Sequence, residues 1–414
     1  MGCGSGTLLA DAIDGGVDAF VPSPPDAELV DGATAVDART IDSACDGGVA
    51  RWSMTGHDAR RTSRSTVKGP RTNHVRWTYP MVNFGSSPAI AADGTVYVTT
   101  QGGPGTLLAL NSNGTLLWSV PNVGSYASPT IAPDGTIYLD GYGAYDPNQF
   151  NFPADIMVAV DAKGTRKWAY GDYSRISKSD NAPTPGLGDL MLASAQGIYG
   201  IHPDGSVAFH LGKSGGGGKA NGDNGTSRVA ISAGVAYAGI GDLDSAEGGT
   251  FAIVADGSTV WKMAGVREGL IANDGTFYST GGAGVDAISP AGAVLWHLDL
   301  DVRTPLAEGP SGTLYLRTGD GIVSIDPKAP KAKLVYALAS PSMGNQSPLV
   351  IDAEGYVFFY AYPQVIVLDP LGVVAFTVDL SADGSVTQVD YAALALGDCV
   401  LYVPAFEHLV AIGL

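Results

Sequence analysis

Charged side chains are scarce in this chain: only 15% of its 414 residues are Asp, Glu, Lys or Arg. That scarcity, with 57 glycines, excludes a coiled-coil or helix-rich composition and points to a turn-rich β protein. Basic residues are the scarcer sign, 23 against 41 acidic, and the net charge of −18 argues against a general binder of nucleic acid or anionic membrane. No apolar run reaches the about 18 residues that a membrane-spanning helix needs. Cysteine is limited to Cys3, Cys45 and Cys399, with no CxxC pair and no metal-ligand spacing. The histidines (His57, His74, His202, His210, His297 and His408) are scattered and form no HExxH motif. Gly212 to Gly225 is glycine-rich but lacks the GxxxxGK[ST] order of a phosphate loop, so it reads as a linker.

What is present is a repeat. Ser86 to Val120 contains two β-runs joined by Asp93-Gly94 and two more joined by Asn113-Gly114, and it ends on Trp118. Asp-Gly and Asn-Gly between apolar runs are strong hairpin signals, because glycine accepts positive φ without steric cost. The stretch is therefore four antiparallel strands, A to D. The first turn recurs at Gly94, Gly135, Gly188, Gly234, Gly275, Gly312, Gly355 and Gly397, in steps of 41, 53, 46, 41, 37, 43 and 42 residues. A four-stranded unit at this period predicts a propeller blade. An aromatic closes most units, at Trp118, Trp168, Phe209, Trp261, Trp296, Tyr336 and Phe376, where it can fill the wedge between adjacent sheets.

Seven complete units end near Leu380. The last segment, Val389 to Leu414, supplies strands A, B and C but no D. Val75 to Tyr79 (VRWTY) precedes the first unit and has the missing form. The expected fold is thus all-β: an eight-bladed propeller of four-stranded antiparallel blades, closed by an N-terminal strand that completes the last blade. Closure of this kind removes the open edge of a linear array. Cys45 and Cys399 flank the closure and could form a disulfide in an oxidising compartment. A buried free Cys399 is the alternative.

Residues 1–50 carry eight Asp, one Glu and one Arg, so they hold −8 of the charge. They read as an acidic disordered tether preceding a propeller over 51–414. Gly2-Cys3-Gly4 has the form of a lipoprotein junction, with Cys3 as the lipidation site, although the basic and apolar regions expected before it are missing.

ALNSNGTLLW, AVDAKGTRKW, AIVADGSTVW and AISPAGAVLW resemble the A-x-D-x-x-T-G-x-x-x-W segment of the pyrroloquinoline-quinone-type (PQQ-like) propeller repeat. Trp52 to Thr62 (WSMTGHDARRT) is similar to the stretch that often precedes such propellers. The repeat occurs in quinoprotein dehydrogenases and in non-catalytic lipoproteins of the BamB type. The dehydrogenases use adjacent cysteines, a Glu/Asn calcium site and an Asp base. This chain has no adjacent cysteines, and no catalytic residue, cofactor site or metal site is carried over. Neither the quinone nor calcium is predicted, and neither is excluded.

In a propeller the A–B and C–D turns share one face, and the D–A links and B–C loops share the other. Here the first set is tight. The second is long in blades two to four, at Gly141 to Ala154, Gly171 to Asn181, Gly212 to Gly225 and Gly241 to Gly249, and long loops are where function usually lies. Candidate binding residues on that loop face are Tyr142, Tyr145, Phe150 and Phe152, the cations Arg175, Lys178, Arg228, Arg267 and Arg303, and His408 beside Glu407. Ser87-Pro88, Ser128-Pro129, Thr304-Pro305 and Ser347-Pro348 should ring the channel mouth. The expected function is a non-enzymatic, monomeric scaffold exported to the periplasm, outer membrane or cell surface, lipid-anchored if Cys3 is modified. It would bind an envelope protein or glycan. The alternative is a quinone- or metal-dependent oxidoreductase whose site the motifs do not reveal.

Overall fold

The computed structural model describes residues 51–100, 105–123, 128–139, 155–171, 182–194, 197–212, 227–241, 248–281, 284–338, 347–361, 363–381 and 392–414. They form eight antiparallel sheets in chain order around a ring. Blade 1 is Ala89–Ile90, Val96–Thr99, Thr106–Leu110 and Leu116–Pro121, strands A to D in sequence. Blades 2 to 7 repeat that order. The eighth sheet has three strands, Ala395–Gly397, Val400–Gly413 and Val75–Phe84. Strands B and C run on as one 14-residue strand, Val400–Gly413, and Val75–Phe84 pairs with its far half through Val75 opposite Ile412 and Tyr79 opposite Leu409. The chain's two ends therefore complete one blade.

Burial follows strand position. B and C are sandwiched between neighbouring blades and are apolar on both faces, as in Leu190–Ser194 and Gly197–Ile201, where every residue is buried. Strand D is the outer edge and alternates half-buried with exposed residues, as in Leu116–Pro121. Blade-to-blade contact makes the core: Tyr97, Leu107 and Ala109 of blade 1 pack with Ile137, Val158 and Val160 of blade 2.

The repeated aromatics do more than fill space. Four strand-D indoles reach the C–D turn of the next blade and donate to a carbonyl there. Trp77 Nε1 bonds Ser112 O at 3.0 Å, Trp118 bonds Ala162 O at 3.2 Å, Trp168 bonds Pro203 O at 2.8 Å and Trp261 bonds Pro290 O at 2.9 Å. The ring lies flat on the turn glycine. A Cβ on Gly114 would sit 2.7 Å from Trp77, and one on Gly164 would sit 3.0 Å from Trp118, while φ at both is near +85° (86° and 84°). Glycine is required twice there, for the turn and for the ring above it.

Residues 52–68, which precede Val75, are inside the ring. Strand A of each blade turns its free edge toward the central channel, where its N–H groups would lack partners. Residues 52–68 run around that channel and supply carbonyls. Ile90 N donates to Trp52 O at 2.8 Å, Ile131 N to Ser53 O at 2.7 Å, Ile231 N to Ala59 O at 2.7 Å and Ile271 N to Arg60 O at 3.0 Å. Glu308 N donates to Thr62 O at 2.9 Å, Ile351 N to Ser63 O at 2.9 Å and Cys399 N to Lys68 O at 2.9 Å. Seven blades are joined to this belt by backbone. Blade 3 is held instead by Arg61, a buried side chain whose guanidinium donates to Ala182 O and Thr184 Oγ1 at 2.8 Å, Thr55 O at 2.7 Å and Val229 O at 3.0 Å. The tight circuit requires positive φ at Gly56 (79°), His57 (75°), Arg61 (61°) and Ser63 (50°). The far end is fastened by Arg71, which pairs with buried Asp352 and with Glu354 at 2.7 Å each and stacks 3.6 Å over the Tyr356 ring.

Removing Arg61 strands buried acceptors in two blades and the belt at once. Arg61→Ala should cost about 3 kcal/mol of unfolding free energy, measured by urea titration. Arg60→Ala, whose guanidinium bonds only exposed Asn273 and lies 3.9 Å from Asp58, should change it by less than about 0.5 kcal/mol.

Candidate binding face

The belt meets the A–B-turn end of seven blades through its carbonyls, at the last residue of strand A in blades 1, 2, 5, 6 and 7. It therefore closes the channel on the turn face and leaves it open on the loop face. On the open side the strand-A starts are stitched by hydroxyls. Ser87 N donates to Ser128 Oγ at 3.0 Å, Thr130 Oγ1 to Pro183 O at 2.7 Å, Thr184 Oγ1 to Val229 O at 3.0 Å and Ser347 Oγ to Ala392 O at 3.1 Å. These polar residues do ring the mouth, and they are committed to holding neighbouring blades together.

A small, half-open cavity lies between the belt and the mouth. Thr55, Gly56, Arg61 and Ser63 form its floor, and Arg228, Glu268, Pro305 and Pro348 its wall. The Thr55 hydroxyl is buried with no hydrogen-bond partner among the described residues. That atom suits a trapped water or a small polar ligand. The described residues contain no cluster of three His, Cys, Asp or Glu side chains placed to hold a metal. One carboxylate, Glu268, does not meet the six to eight oxygen ligands that calcium takes, so the described lining does not fit a calcium-bound quinone.

The expected binding residues separate. Of the expected cations among the described residues, Arg228 alone lines the cavity. Arg267 is turned to buried Asp286 in a close ion pair, and Asp286 also bonds His297 Nδ1 at 2.8 Å. The other ring nitrogen of His297 bonds Asp299 at 3.0 Å. Carboxylates only accept, so both nitrogens carry protons, and Asp299 and then Asp286 hold the imidazolium above the ordinary histidine range. Ser279 stands beside Asp286 in the same row of the sheet, but the carboxylate intervenes between hydroxyl and imidazole. No serine–histidine relay exists there. Arg303 is exposed and paired with Asp301 at 2.9 Å. The positive loop-face centre read from the sequence is thus offset at two of its three described members. His408 lies opposite Pro80, half-buried, in the closing blade. Cys399 is disulfide-bonded. Tyr142, Tyr145, Phe150, Phe152, Arg175, Lys178, Cys3 and Cys45 lie outside the described residues.

Sequence reasoning missed Arg61, Thr55, Ser63 and Glu268 as channel residues. The available signal was Trp52 to Thr62 itself, read there as a leader to the ring and found within it. It also missed Glu308. At this place in strand A five blades carry isoleucine (Ile90, Ile131, Ile231, Ile271 and Ile351), whereas Glu308 is buried, with Oε2 unbonded and 3.9 Å from Arg64. Burial pushes its carboxyl above the ordinary glutamate range, more than Arg64 and Arg60 pull it down. A raised acid binds its proton more tightly folded than unfolded. Its contribution is full below the unfolded value of about 4.3 and is lost as pH rises through the folded one. Glu308→Gln should therefore raise the melting temperature at pH 7 to 8, and the gain should vanish near pH 4. A pH-independent difference in calorimetry would refute this.

Residues 46–215, less than half of the chain, match the family model described as outer membrane protein assembly factor BamB. No curated protein matches. Among solved structures, BamB from Moraxella catarrhalis is similar over 79% of this chain and 96% of its own, at 14% identity and a TM-score of 0.56. Apo AztD from Citrobacter koseri covers 78% of this chain and 89% of its own, at 13% identity and a TM-score of 0.45.

Proposed function

For this PQQ-like β-propeller repeat protein, similar in fold to BamB, we propose a non-enzymatic binding role in the bacterial cell envelope. The observation that carries the reading is the belt. The channel, where a ring of blades would hold a reacting ligand, is floored by the chain's own residues 52–68, and its mouth hydroxyls are used between blades. The loop face remains for a partner, and its connections in blades 2 to 4 are long in sequence, with 15 residues between Leu139 and Asp155. The ligand is a protein or glycan engaged by the aromatics Tyr142, Tyr145, Phe150 and Phe152, with Arg175, Lys178 and Arg228 supplying charge. Residues 51–414 act as one propeller and residues 1–50 as an acidic tether, with Cys3 the residue that would carry a lipid.

The disulfide of Cys399 supports export, since such bonds persist in oxidising compartments. We assign Cys45 as its partner. A non-reduced digest should contain a peptide joining Cys45 to Cys399, and two free thiols would overturn the assignment.

Immobilised full-length protein should capture a specific component of envelope extract. Serine substitution at Tyr145, Phe150 and Phe152 should abolish the capture without lowering the melting temperature. Saturable binding of pyrroloquinoline quinone with calcium, accompanied by dye-linked oxidation of alcohols or sugars, would overturn the non-enzymatic reading.

A further inference from the structure

The turn face is not uniform. In blades 3 and 4 the exposed tips of the C–D hairpins are Asp204 and Asp256. In blades 5 to 7 the same hairpins are apolar or basic at their tips; exposed strand-D apolars also occur singly in blades 1 and 4, at Leu117 and Val260. Blade 5 exposes Val294 and Leu295, the latter 58% exposed. Blade 7 exposes Leu371, Val373 and Val374, with Leu371 at the turn tip 87% exposed. Between them, the lengthened hairpin of blade 6 carries Lys328, Lys331 and Lys333 and exposed Leu334. None of these three lysines forms an ion pair among the described residues, and they are three of only ten lysines in the chain.

The three hairpins make one arc. Ala332 of blade 6 packs in the cluster that contains Trp296, next to Leu295. Gly372 of blade 7 lies against Val335, next to Leu334, so closely that a Cβ there would come within 2.6 Å of it. The carboxylates in this arc point into their own turns: Asp326 accepts from Lys328 N at 3.0 Å, and Asp369 accepts from Leu371 N and Val373 N at 2.9 Å. Exposed leucine and valine at a turn tip are costly in water.

We propose that this arc is a docking surface for an anionic lipid bilayer. Leu371, Val373, Leu334 and Leu295 enter the headgroup region, and Lys328, Lys331 and Lys333 meet lipid phosphate. Three features select a bilayer over a folded partner. The apolar groups are separate residues spread over three hairpins, Leu371 at a turn tip and Leu295 and Leu334 on the outer strands beside it, which suits a flat fluid surface better than a fixed pocket. The cations sit between them, the arrangement by which interfacial segments combine insertion with charge. The belt also begins on this face at Trp52, so the N-terminal segment joins the ring on the same side. The chain's overall −18 does not forbid contact, because residues 1–50 hold −8 of it and charges beyond about 8 to 10 Å are screened at physiological salt.

Flotation of the purified, non-lipidated full chain with vesicles tests this. Binding is expected to phosphatidylglycerol-containing vesicles and not to pure phosphatidylcholine. It should fall at least about a hundred-fold in the Lys328→Glu/Lys331→Glu/Lys333→Glu variant, at about fivefold per lysine charge lost. It should also fall in Leu371→Ser/Val373→Ser, with unchanged melting temperatures. Absent binding, equal binding to both vesicles, or binding unaffected by these substitutions overturns the proposal. So does a concentration-dependent dimer in sedimentation that Leu371→Ser dissolves while vesicles remain unbound, since the arc would then join two copies. Loop-face serine variants should float like the unsubstituted chain, which separates this outcome from failure of the binding role proposed above.

Discussion

Every blade of a closed propeller presents an inner strand edge to the axis, and that edge must find hydrogen-bond partners. In this chain the requirement is met from within. Residues 52–68 give carbonyls to seven blades, and Arg61 reaches the eighth member of the ring, blade 3, with its side chain. The arrangement explains three otherwise separate features. It explains positive φ at His57, Arg61 and Ser63, because the belt must serve successive blades with few residues. It explains a buried arginine with carbonyl partners in two blades. It also explains why the closing strand Val75–Phe84 follows directly: a chain that has circled the channel leaves at blade 7, fastened by Arg71 on Asp352, beside the blade it must complete.

Closing the axis leaves little open channel. A ring whose channel is floored at one end and stitched by hydroxyls at the other keeps, among the described residues, a small cavity with Arg228 and Glu268 in its wall. Catalysis needs groups brought to one point with a pocket that excludes water. The described channel gathers few such groups, and the histidine that bonds two carboxylates, His297, shares Asp286 with Arg267 at the side of a blade.

The architecture was legible because it is local and periodic. Gly94, Gly114 and their counterparts mark turns through their own backbone needs, and counting them leads to eight blades and to the composite last one. The aromatics were legible as packing groups, but their second role was not. Trp118 stacks on Gly164 and bonds Ala162 in the next blade, a relation that spans 44 residues and leaves no local trace. The belt was illegible for the same reason. Its partners lie between 38 and 331 residues away, as with Trp52–Ile90 and Lys68–Cys399, and its own sequence has neither a strand nor a helix period. Loop-face cations could be placed on the correct links from the register, yet Arg267 and Arg303 have carboxylate neighbours that only the folded blade brings close.

The tight turns were read as the quieter side of the molecule, because short hairpins leave little room for variation. Length is the wrong measure there. A C–D hairpin fixed by glycine and by the indole of the preceding blade holds its tip residue in place, so the chemistry of that residue is displayed at almost no entropic cost. Asp204 and Asp256 in blades 3 and 4, against Leu371 and the three lysines in blades 6 and 7, give one face two different halves on an identical backbone. The loop side of the ring differs from blade to blade by insertion. The turn side differs by substitution at fixed points, and a flat array of rigid tips is the geometry that a planar surface can read.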